Sequence, residues 1–283
     1  MTIYPFVLQL GPVEITGYGL MMMVAFLMGG WLIAIELKRR GLAEDYAADA
    51  VAAAVIGGII GAKLWYVAVT QDMHALFSRG GLVWYGGFIG GTAAVILNGW
   101  RLRIPLRWTM QLVAPALPAA YALGRIGCFL VNDDYGRPTD LPWAVKFPHG
   151  LPPSTAASME QLFGIPVPPG TDPSTVLAVH PTQIYEAILM LAAFMWLWTL
   201  RKSDRPIGWI FGVYLVIAGV ERFLIEILRA KDDRFLGPFT LAQLTSVILV
   251  AIGIWVMTKL REGASPEPDA YLTTGKKAAQ LKI

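Results

Sequence analysis

Arg125 lies deep inside a long apolar stretch of the sequence, with no acidic residue near it in the chain. A second apolar stretch contains Arg222 and, four residues later, Glu226. An ionisable side chain inside a membrane is costly and is by default a functional candidate. Two arginines on different helices suit a phosphate, because the guanidinium fork makes charge-assisted, often bidentate bonds to phosphate oxygens. These residues predict a membrane-embedded site for a phospholipid head group.

The elements that must position these side chains are membrane helices. Of the 283 residues, 55% are hydrophobic and only 15% are charged, whereas a soluble domain carries about 25% charge. A membrane-spanning helix needs about 20 mostly apolar residues. Seven stretches qualify: 15–37, 47–69, 81–100, 109–131, 183–200, 207–228 and 239–258. The sequence therefore predicts an all-α integral membrane protein of about seven transmembrane helices.

Basic residues at the span ends give the predicted orientation, because Lys and Arg concentrate in cytoplasmic loops. Basic clusters follow spans one, three, five and seven, and no basic residue precedes span one. The connection after span six departs mildly from this pattern, with charges of both signs: Arg229, Lys231, Asp232, Asp233 and Arg234. The N-terminus is therefore predicted outside and the C-terminus inside.

The predicted spans divide the chain into four segments. These are helices one to four (1–131), a small extracytoplasmic head (132–182), helices five to seven (183–260) and a flexible cytoplasmic tail (261–283) that contains Lys276, Lys277 and Lys282. The head is rich in proline and glycine, and a loop of this length usually has a function.

The predicted orientation gathers polar groups from separate segments in the outer third of the membrane. They come late in outward-running spans (Lys63, Arg125, Arg222, Glu226), early in inward-running spans (Tyr18, Tyr85, Tyr185), or just outside a span (Asp133, Asp134, His180). This convergence of independent segments predicts a single site that faces the outer leaflet.

Most of these residues also have a purely structural interpretation. Arg222 and Glu226 are spaced to neutralise each other on one helix. Lys63 could extend its ammonium to the outer surface, and Tyr18 and Tyr85 could belong to the interfacial aromatic belt. The structural alternative is weakest for Arg125, which has no acidic neighbour in the sequence.

Glycines spaced four residues apart occur in spans two and three. Gly57 and Gly61 form one pair, and Gly86 and Gly90 form another. Such pairs let helix backbones approach closely, so they predict packing between helices, with a glycine face that admits a lipid as the minor alternative.

Five short patterns, in chain order, resemble the signatures of the bacterial prolipoprotein diacylglyceryl transferases. They are Tyr-Gly-Leu at 18–20, Gly-Gly-Leu-Val-Trp-Tyr-Gly-Gly at 80–87, Gly-Arg-Ile-Gly-Cys-Phe at 124–129 continuing to Tyr-Gly-Arg at 135–137, His-Pro-Thr-Gln-Ile-Tyr-Glu at 180–186, and Arg-Phe-Leu-Ile-Glu-Ile-Leu-Arg at 222–229. The resemblance covers nearly all of residues 10–260. One such pattern would be weak evidence, whereas five in order are strong evidence.

The resemblance implies a reaction in the bacterial cytoplasmic (inner) membrane. Members of this family transfer the diacylglyceryl group of phosphatidylglycerol to the thiol of a lipobox cysteine in a prolipoprotein signal peptide, and glycerol phosphate leaves. The expected partners are therefore phosphatidylglycerol, prolipoproteins and membrane lipids, and no nucleic acid. No cofactor and no metal are expected.

Carried over residue by residue, the resemblance assigns Arg125 and Arg222 to the lipid phosphate. It assigns Glu226 and Asp133 to orienting those arginines or the glycerol. The same positions imply that further contacts to the substrates come from Tyr18, Lys63 and Arg229.

The chain departs from the family's best-known pattern at several positions. It has Cys128 where the pattern has Asn, Tyr85 where well-known members carry a His proposed as a base, Lys63 where Arg is frequent, and Val-Asn-Asp at 131–133 in place of Asn-Gly-Glu. The catalytic base is therefore open among Tyr85, His180 and Asp133. Cys128 is interpreted mainly as a small buried side chain, with participation of its thiol in lipid transfer as the alternative.

Three functions compete on the sequence alone. The first is the transferase, the second a divergent paralogue with another lipid donor or acceptor, and the third a non-catalytic phospholipid-binding or transport protein. A transporter is expected to carry polar groups through the bilayer midplane and to show internal repeats. The polar groups here cluster at one depth, which favours the transferase.

Overall fold

The structure is a computed structural model, and it describes residues 1–77, 81–231, 234–236, 239–261 and 265–275. Within them the elements are, in chain order, β1 (Val7–Leu10), β2 (Val13–Thr16), α1 (Gly17–Arg39), α2 (Asp45–Thr70), a 3₁₀ turn (Met73–Phe77), α3 (Trp84–Arg101), α4 (Leu106–Val113), α5 (Ala116–Leu130), β3 (Val145–Lys146), α6 (Ala156–Gln161), β4 (Ala178–Val179), α7 (Thr182–Leu200), α8 (Trp209–Leu228), β5 (Arg234–Leu236), β6 (Phe239–Thr240), α9 (Leu241–Arg261) and α10 (Ala270–Thr274). The protein is mostly helical, and its strands form short antiparallel pairs, β1 with β2, β3 with β4 and β5 with β6.

The lengths and composition of the helices are those of a membrane protein, but they support four or five of the seven predicted spans among the described residues. Among the described residues, α1, α2, α7 and α9 are long and apolar enough to cross a membrane, and the broken pair α4–α5 is a fifth candidate. The predicted spans 81–100 and 207–228 are helical, as α3 and α8, but do not qualify by length and composition. The interior of α8 carries the charged residues Glu221, Arg222 and Glu226.

The fourth predicted span, 109–131, is two helices rather than one. α4 ends at Val113, and α5 begins at Ala116. Pro115, at the break, has no N–H to donate, and its ring clashes with the preceding helical turn. The start of span one also differs, because Ile15 belongs to strand β2 and α1 begins only at Gly17.

The chain forms two compact units. The first unit consists of Met1–Ala25, Leu117–Ser203 and Phe211–Lys259, and the second consists of Phe26–Ala116, Asp204–Ile210 and Leu260–Ile283. Of the second unit's last segment, the structure describes residues 260–261 and 265–275.

In the first unit, small residues bring α5 and α7 together. A buried cluster of Ala122, Ala187, Met190 and Ala193 packs against Tyr121, Ile126 and Ile217 from α5 and α8. Alanines at a helix interface allow close backbone approach. The same packing brings Arg125 of α5 close to Glu186 of α7.

The segment predicted as a head, 132–182, has its own small core. Val145 pairs with Val179 in the β3–β4 ladder, and the aromatic ring of Tyr135 stacks on Phe147 at 5.4 Å. Helix α6 starts at the N-cap Thr155, whose side chain accepts a hydrogen bond from the Ser158 backbone N–H. These contacts hold the loop that follows α5 in a fixed path.

In the second unit, α2 packs closely against α3 through the predicted glycines. A methyl group on Gly57 would overlap Ala94 and the Gly90 carbonyl oxygen, and one on Gly61 would overlap the Gly86 carbonyl oxygen. The interpretation of these glycines as helix-packing residues is confirmed.

The segment after Arg261, predicted to be a flexible tail, is partly packed in the second unit. Leu272 is fully buried, its carbonyl oxygen accepts from the Ala43 backbone N–H at 2.7 Å, and the Tyr271 hydroxyl donates to Asp49. The lysines predicted in this tail, Lys276, Lys277 and Lys282, lie outside the described residues.

Candidate active site

Arg125 is surrounded by polar partners although it lies inside α5. Its guanidinium pairs with Glu186 of α7 and with Asp134, whose Oδ2 lies 2.8 Å from Nη1. Arg125 Nε also donates to the Tyr121 hydroxyl (3.1 Å), which in turn donates to Glu186 Oε2 (2.7 Å). Glu186 is fully buried. Glu186, which is distant in sequence, and Asp134, nine residues further along the chain, therefore supply the counter-charges of Arg125.

Asp134 joins two arginines. Its Oδ1 pairs with Arg229, the residue that follows α8, while its Oδ2 pairs with Arg125. Burial alone would raise the pKa of Asp134, but the charges of Arg229 and Arg125 outweigh it and hold that pKa below its ordinary value. Asp134 is therefore ionised at neutral pH and ties α5 to the end of α8.

The turn after α5 contains Asp133 and Asp134 and has an unusual backbone conformation. Asn132 and Asp134 adopt positive φ angles of 60° and 65°, a conformation that Asn and Asp tolerate better than most residues. The turn is fixed from α7, because the Thr182 hydroxyl donates to the Asp134 carbonyl oxygen and Gln183 Nε2 donates to the Asp133 carbonyl oxygen, at 2.9 and 2.6 Å.

Gly136, which follows this turn, lies where neighbouring atoms leave no room for a side chain. A Cβ atom there would lie 2.6 Å from the Leu228 carbonyl oxygen and 2.8 Å from side-chain atoms of both His180 and Thr182. Backbone bonds run on both sides, from Gly136 N–H to the His180 carbonyl and from Arg137 N–H to the Leu228 carbonyl, at 2.9 and 2.8 Å. The backbone at Gly136 and Arg137 is thus held between the start of α7 and the end of α8.

Asp133 has a different environment from Asp134. Its Oδ1 accepts the Asp134 backbone N–H at 2.7 Å, and no ion pair involves its carboxylate within the part of the chain that the structure describes. Burial, together with the charge of Asp134, raises the pKa of Asp133 above its ordinary value. A carboxylate with a raised pKa is a better proton acceptor.

Arg222 and Glu226 pair with each other on α8 at 2.6 Å, as their spacing suggests. This ion pair leaves hydrogen-bonding atoms of both side chains without a partner among the described residues. Arg222 Nη1 and Glu226 Oε1 are buried without a hydrogen-bond partner among the described residues. Glu226 lies within electrostatic reach of Arg229, so the pair belongs to the same charged region as Arg125.

His180 lies at the edge of this region, before α7. Its Nδ1 is 3.3 Å from the Tyr185 hydroxyl, which accepts a hydrogen bond from Trp143 Nε1 at 2.6 Å. Burial lowers the pKa of His180, so its imidazole is neutral at pH 7 and able to accept a proton. Its backbone carbonyl also accepts the Gly136 N–H.

Tyr18 and Cys128 also belong to the first unit. A Cβ on Gly127 would lie 3.3 Å from the Tyr18 Cα atom, so α1 and α5 approach closely there. The Cys128 sulfur is 3.8 Å from Arg125 Nη1 and is half-buried. A thiol sulfur is a weak hydrogen-bond acceptor, so this contact to the arginine is weak.

Tyr85 and Lys63 belong to the second unit. Tyr85 is at the start of α3, where its ring lies 5.2 Å from that of Trp84 and 6.4 Å from that of Trp65. Lys63 is half-buried on α2. The aromatic surroundings of Tyr85 agree with the belt interpretation, and its role as a base stays a prediction.

Two residues that line the site were not among the predicted site residues, and Asp134 was predicted only as a neighbour of Asp133, without a role of its own. Glu186 stands at the end of the His-Pro pattern, and Tyr121 lies one turn before Arg125. A requirement that every intramembrane arginine have a counter-charge would have directed attention to Glu186. Only the turn geometry separates the role of Asp134 from that of Asp133.

Unsatisfied donors indicate what the site can bind. Arg222 Nη1 and Arg229 Nε are buried N–H groups without a hydrogen-bond partner within the described ranges. Buried polar groups are normally paired, and unpaired guanidinium donors are suited to the oxygens of an anion. The arrangement can therefore hold a phosphate beside carboxylates that orient the arginines.

Comparison with known proteins identifies the family of the chain. The family model for prolipoprotein diacylglyceryl transferase matches residues 5–259. A phosphatidylglycerol–prolipoprotein diacylglyceryl transferase of Clostridium tetani is 33% identical over 89% of this chain and 96% of its own length. Proteins of the same name from Trichormus variabilis and Geobacter sulfurreducens are 32% and 30% identical, over 94% and 88% of this chain and 92% of each relative. The resemblance inferred from the five patterns is confirmed, and the chain belongs to the prolipoprotein diacylglyceryl transferase family.

Proposed function

We propose that this protein transfers the diacylglyceryl group of phosphatidylglycerol to the lipobox cysteine of prolipoproteins and releases glycerol phosphate. The relatives named above carry this activity in their names. The observation that carries the proposal is the cluster of Arg125, Arg222 and Arg229. In it, Arg222 Nη1 and Arg229 Nε are buried donors without a partner among the described residues, and they suit a phosphate.

The phosphate of the lipid would be held by the unpartnered donors of Arg222 and Arg229, with the charge of Arg125 alongside. Glu226 and Asp134 fix these guanidinium groups through ion pairs. A preorganised cation costs no reorganisation when negative charge develops on the leaving group. The site thus stabilises the phosphate more strongly as it leaves than while it is still esterified.

The chemistry is a displacement at carbon. The substrate sulfur attacks the glyceryl methylene that carries the phosphate, a C–S bond forms, and the C–O bond breaks. The phosphate departs with the bonding electron pair as glycerol phosphate. The thiol has a pKa of about 8.5 and reacts as the thiolate, so its proton must pass to a base of the protein.

We assign this proton to Asp133 in preference to His180 or Tyr85. Asp133 has a raised pKa and no arginine partner among the described residues, whereas the imidazole of His180 is next to a tyrosine hydroxyl. Tyrosine has an ordinary pKa of about 10 and is a poor base at neutral pH. Asp133 and Asp134 are consecutive residues of one turn. The proposed base therefore lies next to the carboxylate that pairs with Arg125 and Arg229.

Asp133→Asn is expected to lower kcat/KM about 10²-fold, the lower end of what a general base contributes. Asp133 accepts a proton only when ionised, so in the unsubstituted protein kcat/KM rises as pH rises through its pKa. Because burial and Asp134 raise that pKa, this limb lies at higher pH than for an ordinary aspartate, about 3.9. The measurement is the pH dependence of kcat/KM in detergent.

Asp140→Asn, at an exposed position of the same segment, is the matched control and should keep the original profile. Asp133→Glu should restore part of the rate. If the acidic limb persisted in Asp133→Asn, the base would be another group, and the same profiles for His180→Gln and Tyr85→Phe would identify it.

We also propose seven spans, an outside N-terminus and an active site at the outer leaflet of the bacterial cytoplasmic membrane. The distribution of basic residues among the loops supports this orientation. A charged lipobox peptide added to sealed, right-side-out vesicles should then be modified at the rate seen after the vesicles are permeabilised. Modification only after permeabilisation would place the site on the inner side.

The decisive experiment mixes purified protein, phosphatidylglycerol and a lipobox peptide in detergent. Release of glycerol phosphate and a matching gain of one diacylglyceryl group in the peptide mass are the expected results. Folded protein that binds the lipid without releasing glycerol phosphate would support the non-catalytic lipid-binding function. Release with a different donor or acceptor would support a divergent paralogue, and would focus attention on Cys128 and Tyr85.

A further inference from the structure

Glu221 is a buried carboxyl that the mechanism above does not use. It lies on α8, directly before Arg222, and is only 6% exposed. Its Oε1 atom is buried and has no hydrogen-bond partner among the described residues. A buried polar atom without a partner is rare in native structures and needs an explanation.

Apart from Asp133, which has no ion pair among the described residues, the other acidic groups of the cluster each have an arginine. Glu186 pairs with Arg125, Glu226 with Arg222, and Asp134 with both Arg125 and Arg229. No ion pair to Glu221 occurs within the part of the chain that the structure describes. The charged and titratable groups within electrostatic reach of Glu221 are Tyr121 and Arg125 on α5, Glu186 on α7, Tyr214 and Arg222 on α8, and Arg229.

The charges of the paired groups already balance. Three arginines face three paired carboxylates: Asp134, Glu186 and Glu226. An ionised Glu221 would add a negative charge close to Glu186, and no arginine of the cluster among the described residues is left to pair with it. A phosphate in the same site would add another, and like charges in a buried site disfavour each other strongly.

We propose that Glu221 couples occupancy of the phosphate site to a proton: the carboxyl is neutral when the lipid phosphate is bound, and its ionisation expels the phosphate. This inference rests on the proposed function, because it takes the anion to be the phosphate of phosphatidylglycerol. A neutral Glu221 is an O–H donor, and Glu186 Oε1 is a buried acceptor without a partner among the described residues. Glu221 is thus a positioning residue, which acts through the charge of the site.

The test measures binding rather than turnover. Phosphatidylglycerol with a spin label on an acyl chain is titrated against the full-length protein in phosphatidylcholine nanodiscs, from about pH 6 to about pH 10, a range in which buried carboxyls can titrate. The dissociation constant should rise with pH, by at most about tenfold per pH unit, the limit for one linked proton. Glu221→Gln, a permanently neutral isostere, should flatten this dependence.

Glu160→Gln, the same change at an exposed position of α6, is the matched control and should retain the pH dependence. An unchanged slope in Glu221→Gln would overturn the proposal, as would equal flattening in the control. Because binding is the readout, these outcomes are independent of whether glycerol phosphate is released. Failure of the proposed function would instead appear as pH-linked binding without transfer to the peptide.

A second measurement needs no variant and covers the case in which Glu221→Gln does not fold. In weakly buffered solution with a pH-sensitive dye, lipid binding at the alkaline end should take up about one proton per protein, and at the acidic end almost none. Binding without proton uptake at either end would contradict the proposal.

Discussion

Arg125→Ala is expected to lower kcat/KM for diacylglyceryl transfer about 10³-fold, the upper end of the effect of removing one preorganised donor from a transition state. The guanidinium lies between Glu186 and Asp134, so alanine removes both a cation and the group that aligns two carboxylates. Glycerol phosphate release and the peptide mass report the loss, and size-exclusion chromatography and circular dichroism report whether the variant is folded.

Two further variants separate charge from geometry. Arg125→Lys keeps the charge but loses the planar fork, and should fall between alanine and the unsubstituted protein. Arg205→Ala, at an exposed arginine whose guanidinium carbon lies 5.0 Å from the ring centroid of Trp209, should keep nearly full activity. If Arg125→Ala retained more than about a tenth of the rate, the phosphate would have to be stabilised elsewhere.

Glu186→Ala is expected to lower the free energy of unfolding by about 3–5 kcal/mol, the usual cost of leaving one member of a buried ion pair alone. Glu186 is fully buried, pairs with Arg125 and accepts the Tyr121 hydroxyl, so the substitution removes two interactions at once. Thermal unfolding of the protein in detergent is the measurement, with Glu160→Ala as the exposed control that should stay within about 0.5 kcal/mol of the unsubstituted protein.

A double-mutant cycle makes this prediction specific. If most of the loss comes from an unpaired Arg125, the double variant Glu186→Ala with Arg125→Ala should be less destabilised than the sum of the single variants. Simple addition of the two effects would show that Arg125 finds another partner when Glu186 is absent, and that the ion pair is not what holds α5 against α7.

The sequence predicted those parts of the site that depend on local spacing. Arg222 and Glu226 are one turn apart on a single helix, so their ion pair follows from the sequence alone. The close packing of α2 on α3 follows in the same way from glycines four residues apart. The helices that hold Arg125 and Arg222 were predicted because hydrophobic stretches of this length are rare outside membrane spans.

The parts that the sequence did not predict depend on contacts between distant segments or on backbone conformation. Glu186 reaches Arg125 only because alanines allow α5 and α7 to approach, and 61 positions separate the two in the chain. The distinct roles of Asp133 and Asp134 depend on two positive φ angles, which no hydrophobic pattern encodes. The break at Pro115 was visible in the sequence, but hydropathy averages over it.

The packing of residues 271 and 272 in the second unit has a consequence for biosynthesis. Tyr271 bonds to Asp49, which precedes it by 222 positions, and Leu272 is buried beside its backbone bond to Ala43. Ala43 and Asp49 are therefore synthesised long before Tyr271 and Leu272, the residues to which they bond. Maturation of this part of the protein must finish after translation of residue 272, and a truncation before that point would leave the site around Asp49 and Ala43 uncovered for cellular quality control to recognise.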